Sequence, residues 1–139
     1  MTRINVIDPT DLTDQHLLAE YRELPRIHAL VLLALRANRP LTGPPRYTMG
    51  AGHVRFFYTR TAYLSRRQSA IIAELTDRGY QLAHLEAPAP LDDSTWEPDE
   101  QDVRVNLARL RERLHKPGAR YTHRRVQVSQ LFYGAAMDR

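Results

Sequence analysis

The chain of 139 residues contains no cysteine, which excludes a disulfide framework, a thiolate nucleophile and any zinc site built on Cys. Lysine is almost as scarce. Of the 20 basic residues only Lys116 is Lys and the other 19 are Arg, so one position carries the side-chain amines while planar guanidinium forks suited to phosphate are abundant. No stretch approaches the ~20 apolar residues of a membrane-spanning helix. Met1-Thr2-Arg3-Ile4-Asn5 lacks the charged-then-apolar pattern of a leader, and the expected place is the cytoplasm. The six histidines, at 16, 28, 53, 84, 115 and 123, show neither H-x-x-x-H nor H-E-x-x-H spacing, so no metal site and no cofactor are expected. Ser65, Ser69, Ser94 and Ser129 have no nucleophile-elbow context.

What is present points to helices. The length suits one domain over residues 1–139 with a real core, and the formal charge of +4 is moderately basic. Asp8-Pro9 favours a turn, and Thr10, Asp11 and Thr13 are candidate N-caps. The periodicity predicts a first helix over about 13–37, bent near Tyr21–Arg22 by the internal Pro25, with its apolar second half from Ile27 to Leu35 buried. A Pro- and Gly-rich loop follows, then Gly50-Ala51-Gly52-His53, which lacks the Lys-Ser/Thr of a phosphate-binding loop; a packed, hydrogen-bonded role is expected for His53. A second helix is predicted over about 61–78 with Gly79 as its stop and with Arg66 and Arg67 facing solvent. Residues 83–99, with three prolines, read as a variable or mobile loop, and a third helix as about 99–115. The tail from Arg120 is basic, then apolar, and is expected to pack back on the body. The fold class expected is all-α: three main helices, irregular loops and a packed tail, with little or no sheet.

On the first helix, the 100° step per residue sets Gln15, Arg22 and Arg26 in one stripe, with His16 and Glu23 beside it. Leu17, Tyr21, Leu24 and Val31 point toward the core. A carboxylate flanked by two guanidinium groups suits a phosphate-rich ligand, although polar faces of amphipathic helices are commonly just solvated. A second nucleophile is less obvious. Loss of the initiating Met, expected before a small residue, exposes the Thr2 α-amine. Its pKa of about 7.7–8.0, against about 10.4 for Lys, leaves far more free base near neutrality, and neighbouring Arg charge lowers it further. Such an amine can attack a sugar carbon and form a Schiff base.

These stretches carry a resemblance. Met1-Thr2-Arg3-Ile4-Asn5, Asp14-Gln15-His16-Leu17 and Ala19-Glu20-Tyr21-Arg22-Glu23-Leu24-Pro25-Arg26 resemble the phage-type pyrimidine-dimer DNA glycosylases. So do Gly50-Ala51-Gly52-His53-Val54, Phe56-Phe57-Tyr58, Arg67-Gln68, Arg78-Gly79 and Ala108-Arg109-Leu110. The resemblance implies an all-helical monomer that binds damaged double-stranded DNA, kinks it, and extrudes the base opposite the dimer. It would cleave the glycosidic bond at a cyclobutane pyrimidine dimer and nick the strand by β-elimination, acting as an apurinic/apyrimidinic lyase. It implies Thr2 as the amine nucleophile and Glu23 as the essential carboxylate. Arg3, Gln15, His16, Arg22 and Arg26 would contact the lesion strand, and Arg109 and Arg113 would grip phosphate. The chain departs from the family in its tail, where an aromatic run Trp-Tyr-Lys-Tyr-Tyr-Gly is replaced by Gly118-Ala119-Arg120-Tyr121-Thr122-His123-Arg124-Arg125, with Phe132-Tyr133-Gly134 further on. The alternatives are a glycosylase/lyase for a different base lesion and a non-catalytic DNA-binding helical domain.

Overall fold

Thr13 opens the longest helix. Its hydroxyl accepts the His16 N–H at 3.2 Å as the N-cap, and α1 runs Asp14–Arg36 in the structure, a computed structural model that describes residues 4–137. Pro25 sits inside α1 without ending it. A proline has no N–H, so the Tyr21 carbonyl four residues back loses its helical donor. The Gln68 side chain supplies the replacement, Nε2 donating to Tyr21 O at 3.2 Å.

The other long helices are α3 (Thr61–Asp77) and α4 (Glu100–Leu114); α2 (His53–Phe56) and α5 (Phe132–Met137) are short. α3 closes with Gly79 at φ +90°, its N–H bonded to Thr76 O and that of Tyr80 to Leu75 O, the paired bonds of a Schellman ending. α4 opens on a reciprocal capping box between Asp99 and Asp102. Among the described residues the strands are β1 (Thr122–His123) and β2 (Val126–Gln127), an antiparallel pair with His123 opposite Val126. The protein is mostly helical, with three main helices whose ends fall within a residue or so of those expected.

One continuous apolar cluster joins Leu17, Leu24, Ile27 and Val31 of α1 to Ile71 and Leu75 of α3, Leu107 and Leu110 of α4, and the Phe56–Phe57 pair. Two expectations are corrected. In the second half of α1 only Ile27 and Val31 are buried, while Leu30, Leu33 and Leu35 are 48%, 55% and 44% exposed, because neighbours cover only one face of the helix. Arg66 faces solvent, but Arg67 is buried, turned inward by a carboxylate described below. The 83–99 loop is fastened to the helices. Tyr21 OH donates to His84 O and accepts the His84 N–H, each at 3.0 Å. Ser65 Oγ donates to Pro88 O at 2.8 Å, and Thr61 donates its N–H and hydroxyl to Asp92 Oδ2 at 2.7 and 2.6 Å.

The tail folds over the start of α1. Its hairpin turns on Arg124 and Arg125 at φ 52° and 69°, a left-handed pair that Asn-Gly ordinarily supplies. The buried Asp14 carboxylate offsets that strain. It accepts the Arg124 and Arg125 N–H groups at 3.0 and 2.8 Å, the Thr122 hydroxyl at 2.5 Å and Arg78 Nη1 at 2.9 Å. Burial pushes this carboxyl up, but the Thr122 hydroxyl, the two backbone donors and Arg78 outweigh it and bring it to about 2. Tyr133, fully buried, accepts the Thr13 N–H at 3.0 Å through its hydroxyl. The tail therefore packs on the body.

Candidate active site

Residues 4–7 form a non-helical segment whose polar backbone is held by side chains. The Ile4 N–H donates to His53 Nε2 at 3.0 Å and the Ile4 carbonyl accepts Tyr47 OH at 2.9 Å. The Asn5 N–H and Nδ2 donate to Glu20 Oε1 at 3.2 and 2.9 Å. Asn106 Oδ1 accepts the Val6 and Ile7 N–H groups at 2.8 and 3.3 Å, while Arg67 Nη1 donates to Ile7 O at 2.6 Å. Buried backbone groups must find partners, and here five side chains from four parts of the chain provide them. The segment also has a direction. Pro9 O meets Arg78 at 3.1 Å beside Asp14, at the start of α1, whereas Asn5 meets Glu20. Followed from Pro9 to Asn5, the chain runs along α1 from beside Asp14 to Glu20, one turn short of Glu23.

Glu20 was not singled out in the sequence, yet it lies on the same helical face as His16 and Glu23, at offsets of four and three residues. It is fully buried and paired with Arg67, whose Nε and Nη2 donate to its two oxygens at 2.6 and 3.2 Å. Burial opposes the Arg67 charge, but the Glu20 carboxylate outweighs it and raises the guanidinium pKa. A polar residue midway along that stripe was the available signal.

Glu23 keeps 20% of its side chain exposed and lies 3.8 Å from Arg26 Nη1. Arg22 and Arg26 are exposed on the adjoining stripe. On their side of α1 a cleft of about 630 Å³ opens between Tyr21, Arg22, Pro25, Arg26 and Gln68 and the 84–88 loop. Gln68 is buried, and its Oε1 has no hydrogen-bond partner. That orientation follows from Pro25, since the amide nitrogen is committed to the freed Tyr21 carbonyl.

Gln15 and His16 face the tail. Gln15 accepts the Thr122 N–H at 2.8 Å and donates to Thr122 Oγ1 at 3.0 Å. His16 is buried, its Nδ1 2.7 Å from Tyr133 OH and 2.8 Å from Thr13 Oγ1, with its ring stacked on Tyr121 at 4.6 Å. Among the described residues its Nε2 has no hydrogen-bond partner, and neither has the buried Arg113 Nε. Arg109 donates to Met49 O at 3.3 Å and lies 3.7 Å from Glu112. Thus Arg22 and Arg26 line the cleft, Glu23 lies outside that lining with Arg26 as its neighbour, Gln15 and His16 face the tail, and Arg109 lies against the 49–53 loop. Thr2 and Arg3 lie outside the described residues. Among the described residues no three His, Asp or Glu side chains converge as a metal site would require.

The His16 site makes stability fall in acid. Burial, aided by the charge of Arg113, pushes its pKa down to about 4, whereas the unfolded chain takes up the proton near 6.5. The unfolded state therefore binds more protons between pH 6.5 and 4, and stability declines as pH falls through that window, by about 3 kcal/mol at its end. Asp14 adds a loss from its ordinary 3.8 down toward 2. Thermal melts from pH 7 to 4 should show the decline, and His16→Gln should flatten it; an unchanged slope would assign the titration elsewhere.

The family model described as pyrimidine dimer DNA glycosylase matches residues 1–86. The matched stretch holds segment 4–7, all of α1 with Glu20, Glu23 and both cleft arginines, Tyr47 and His53, and α3 with Arg67. It leaves out α4 and the hairpin tail. With well over half of its length matched, including the whole face around Glu23, the chain belongs to the pyrimidine dimer DNA glycosylases, a family of DNA-repair enzymes.

Proposed function

We propose that the protein is a monomeric, single-domain glycosylase and apurinic/apyrimidinic lyase. It acts in the cytoplasm on cyclobutane pyrimidine dimers in duplex DNA, through the Thr2 α-amine and Glu23. The observation that supports this reading is the course of the chain along α1, from Pro9 beside Asp14 to Asn5 at Glu20, one turn from Glu23. Thr2 precedes Asn5 by three residues, roughly 10 Å of extended chain. Glu23 lies about 4.5 Å beyond Glu20 along the helix axis. The reach is sufficient for amine and carboxylate to meet one sugar.

The chemistry follows from those two groups. The free-base amine attacks C1′ as the glycosidic bond breaks, and the bonding pair leaves with the base. The Glu23 carboxylate stabilises the positive charge that develops on the sugar ring. The resulting aminal opens its C1′–O4′ bond, with one amine proton passing to O4′, to give the protonated imine; the same carboxylate then takes the C2′ proton, and the 3′ phosphate leaves by β-elimination. Arg22 and Arg26 neutralise flanking phosphates. Arg3, Gln15, His16, Arg109 and Arg113 are assigned to the DNA strand. The cleft beside Arg22 and Arg26 has room for an extruded base. Unpaired and distorted sites cost less to open than intact duplex.

Borohydride trapping tests the reading. Tagless protein on a duplex with one thymine dimer is expected to give a covalent adduct that mass spectrometry maps to the residue-2 amine, with none on undamaged duplex. An adduct at Lys116 would move the nucleophile. No adduct on the dimer, but one on an oxidised or ring-opened base, would change the lesion. None at all from protein confirmed to begin at Thr2 would favour a DNA-binding module.

A further inference from the structure

We propose that Tyr47 and His53 are positioning residues for the reaction, forming a clamp on Ile4 that fixes where the chain's terminal amine is delivered. The inference rests on the N-terminal-amine reading and deepens it.

Ile4 is the residue two positions from Thr2, and it is fully buried. Both of its backbone polar groups are gripped from outside the segment: the N–H by His53 Nε2 at 3.0 Å, the carbonyl by Tyr47 OH at 2.9 Å. No strand partner does this work. The His53 ring is oriented by its other nitrogen, since Nδ1 lies 2.6 Å from the Thr48 carbonyl and must donate there. That bond assigns the proton to Nδ1 and leaves Nε2 as the acceptor Ile4 needs. Tyr47 stands edge-on to His53 at 5.5 Å and is itself buried among Phe56 and Phe57, so each half of the clamp holds the other. Burial pushes the Tyr47 phenol well above its ordinary range, so it stays a proton donor.

Glu20, Arg67 and Asn106 fix residues 5–7, and among the described residues the grip at Ile4 is the one nearest the amine in sequence. A swing at that point moves the amine relative to Glu23, and a misplacement of about 1 Å at reacting atoms can cost on the order of 100-fold in rate.

The test uses tagless full-length protein on abasic-site duplex, with single-turnover imine trapping at saturating DNA, dissociation constants and thermal melts measured on each variant. Tyr47→Phe removes only the hydroxyl. His53→Asn keeps a donor for Thr48 O and loses the acceptor for Ile4, and His53→Gln does the reverse. The expected result is a trapping rate lowered about 10- to 100-fold for Tyr47→Phe and His53→Asn, with DNA affinity unchanged and the melt still cooperative. His53→Gln should stay much closer to the parent rate. Equal rates in all variants, or losses that follow melting temperature alone with His53→Gln as slow as His53→Asn, would overturn the clamp. Should the parent protein's own adduct map away from residue 2, the amine reading itself fails, and the clamp with it. That failure shows in the parent before any variant is compared.

Discussion

Glu23→Gln is expected to lower glycosylase turnover on a dimer-containing duplex by about a thousandfold or more, while DNA affinity stays the same or rises. The substitution keeps the size and the hydrogen-bonding atoms of the side chain but removes its charge. A neutral amide cannot stabilise the cationic sugar and cannot accept the C2′ proton, and electrostatic and proton-transfer contributions of this kind are each worth about 10²- to 10⁴-fold. Binding should hold because Glu23 contributes a negative charge where phosphates approach, and Arg22 and Arg26 remain exposed beside it. Single-turnover cleavage and a filter-binding or anisotropy titration at one stated salt concentration check the two halves separately. Full cleavage by the variant would remove Glu23 from the chemistry, and joint loss of cleavage and binding would make it a DNA contact.

Breaking the Glu20–Arg67 pair should produce the largest loss of stability. Arg67→Met is expected to cost about 3–5 kcal/mol, because it strands a fully buried carboxylate and also leaves Ile7 O without its donor. For a chain of this length that corresponds to a fall in melting temperature of roughly 10–17 °C. Arg67→Lys should recover only part of it, since one ammonium cannot reproduce two bonds to Glu20 and a third to Ile7 O across a fixed fork. Melts of the two variants beside the parent decide the matter. A loss under about 1 kcal/mol for Arg67→Met would place the pair among ordinary surface ion pairs.

The two results together would separate what holds the site from what reacts in it. Glu20 and Glu23 are the same residue type, one helical turn apart. The first is sealed under Arg67 and committed to Asn5; the second keeps part of its side chain exposed next to Arg26. Periodicity assigns them to one face but carries no information about depth, because depth depends on what α3 and segment 4–7 bring against that face.

Much of the fold was legible because it rests on local rules. Thr13 caps α1, Gly79 ends α3 and Asp99 opens α4, each through hydrogen bonds within a few residues of the chain. Apolar spacing marked Leu17, Tyr21, Leu24 and Val31; Leu17, Leu24 and Val31 are buried and Tyr21 is half-buried. The apolar run from Ile27 to Leu35 misled at Leu30, Leu33 and Leu35. Hydrophobicity alone cannot say which side of an apolar helix has a neighbour, and here the outer side has none. Arg67 was assigned to solvent because arginine usually is exposed, and only a buried carboxylate 47 positions earlier reverses that preference.

By itself, then, the sequence determined a cysteine-free, Arg-rich, helical chain with a carboxylate set between two arginines, along with the family to which that arrangement belongs. Composition, capping residues and helical period are properties of neighbouring residues, and they survive without knowledge of the rest. The tertiary structure decided which of two glutamates is sealed and which stays open. It also turned Gln68 toward the carbonyl that Pro25 frees, laid the hairpin tail on Asp14, and docked residues 4–7 onto side chains from α1, α3, α4 and the 47–53 region. Those outcomes depend on contacts between residues up to 111 positions apart, where burial leaves each polar group one available partner and no local pattern names it.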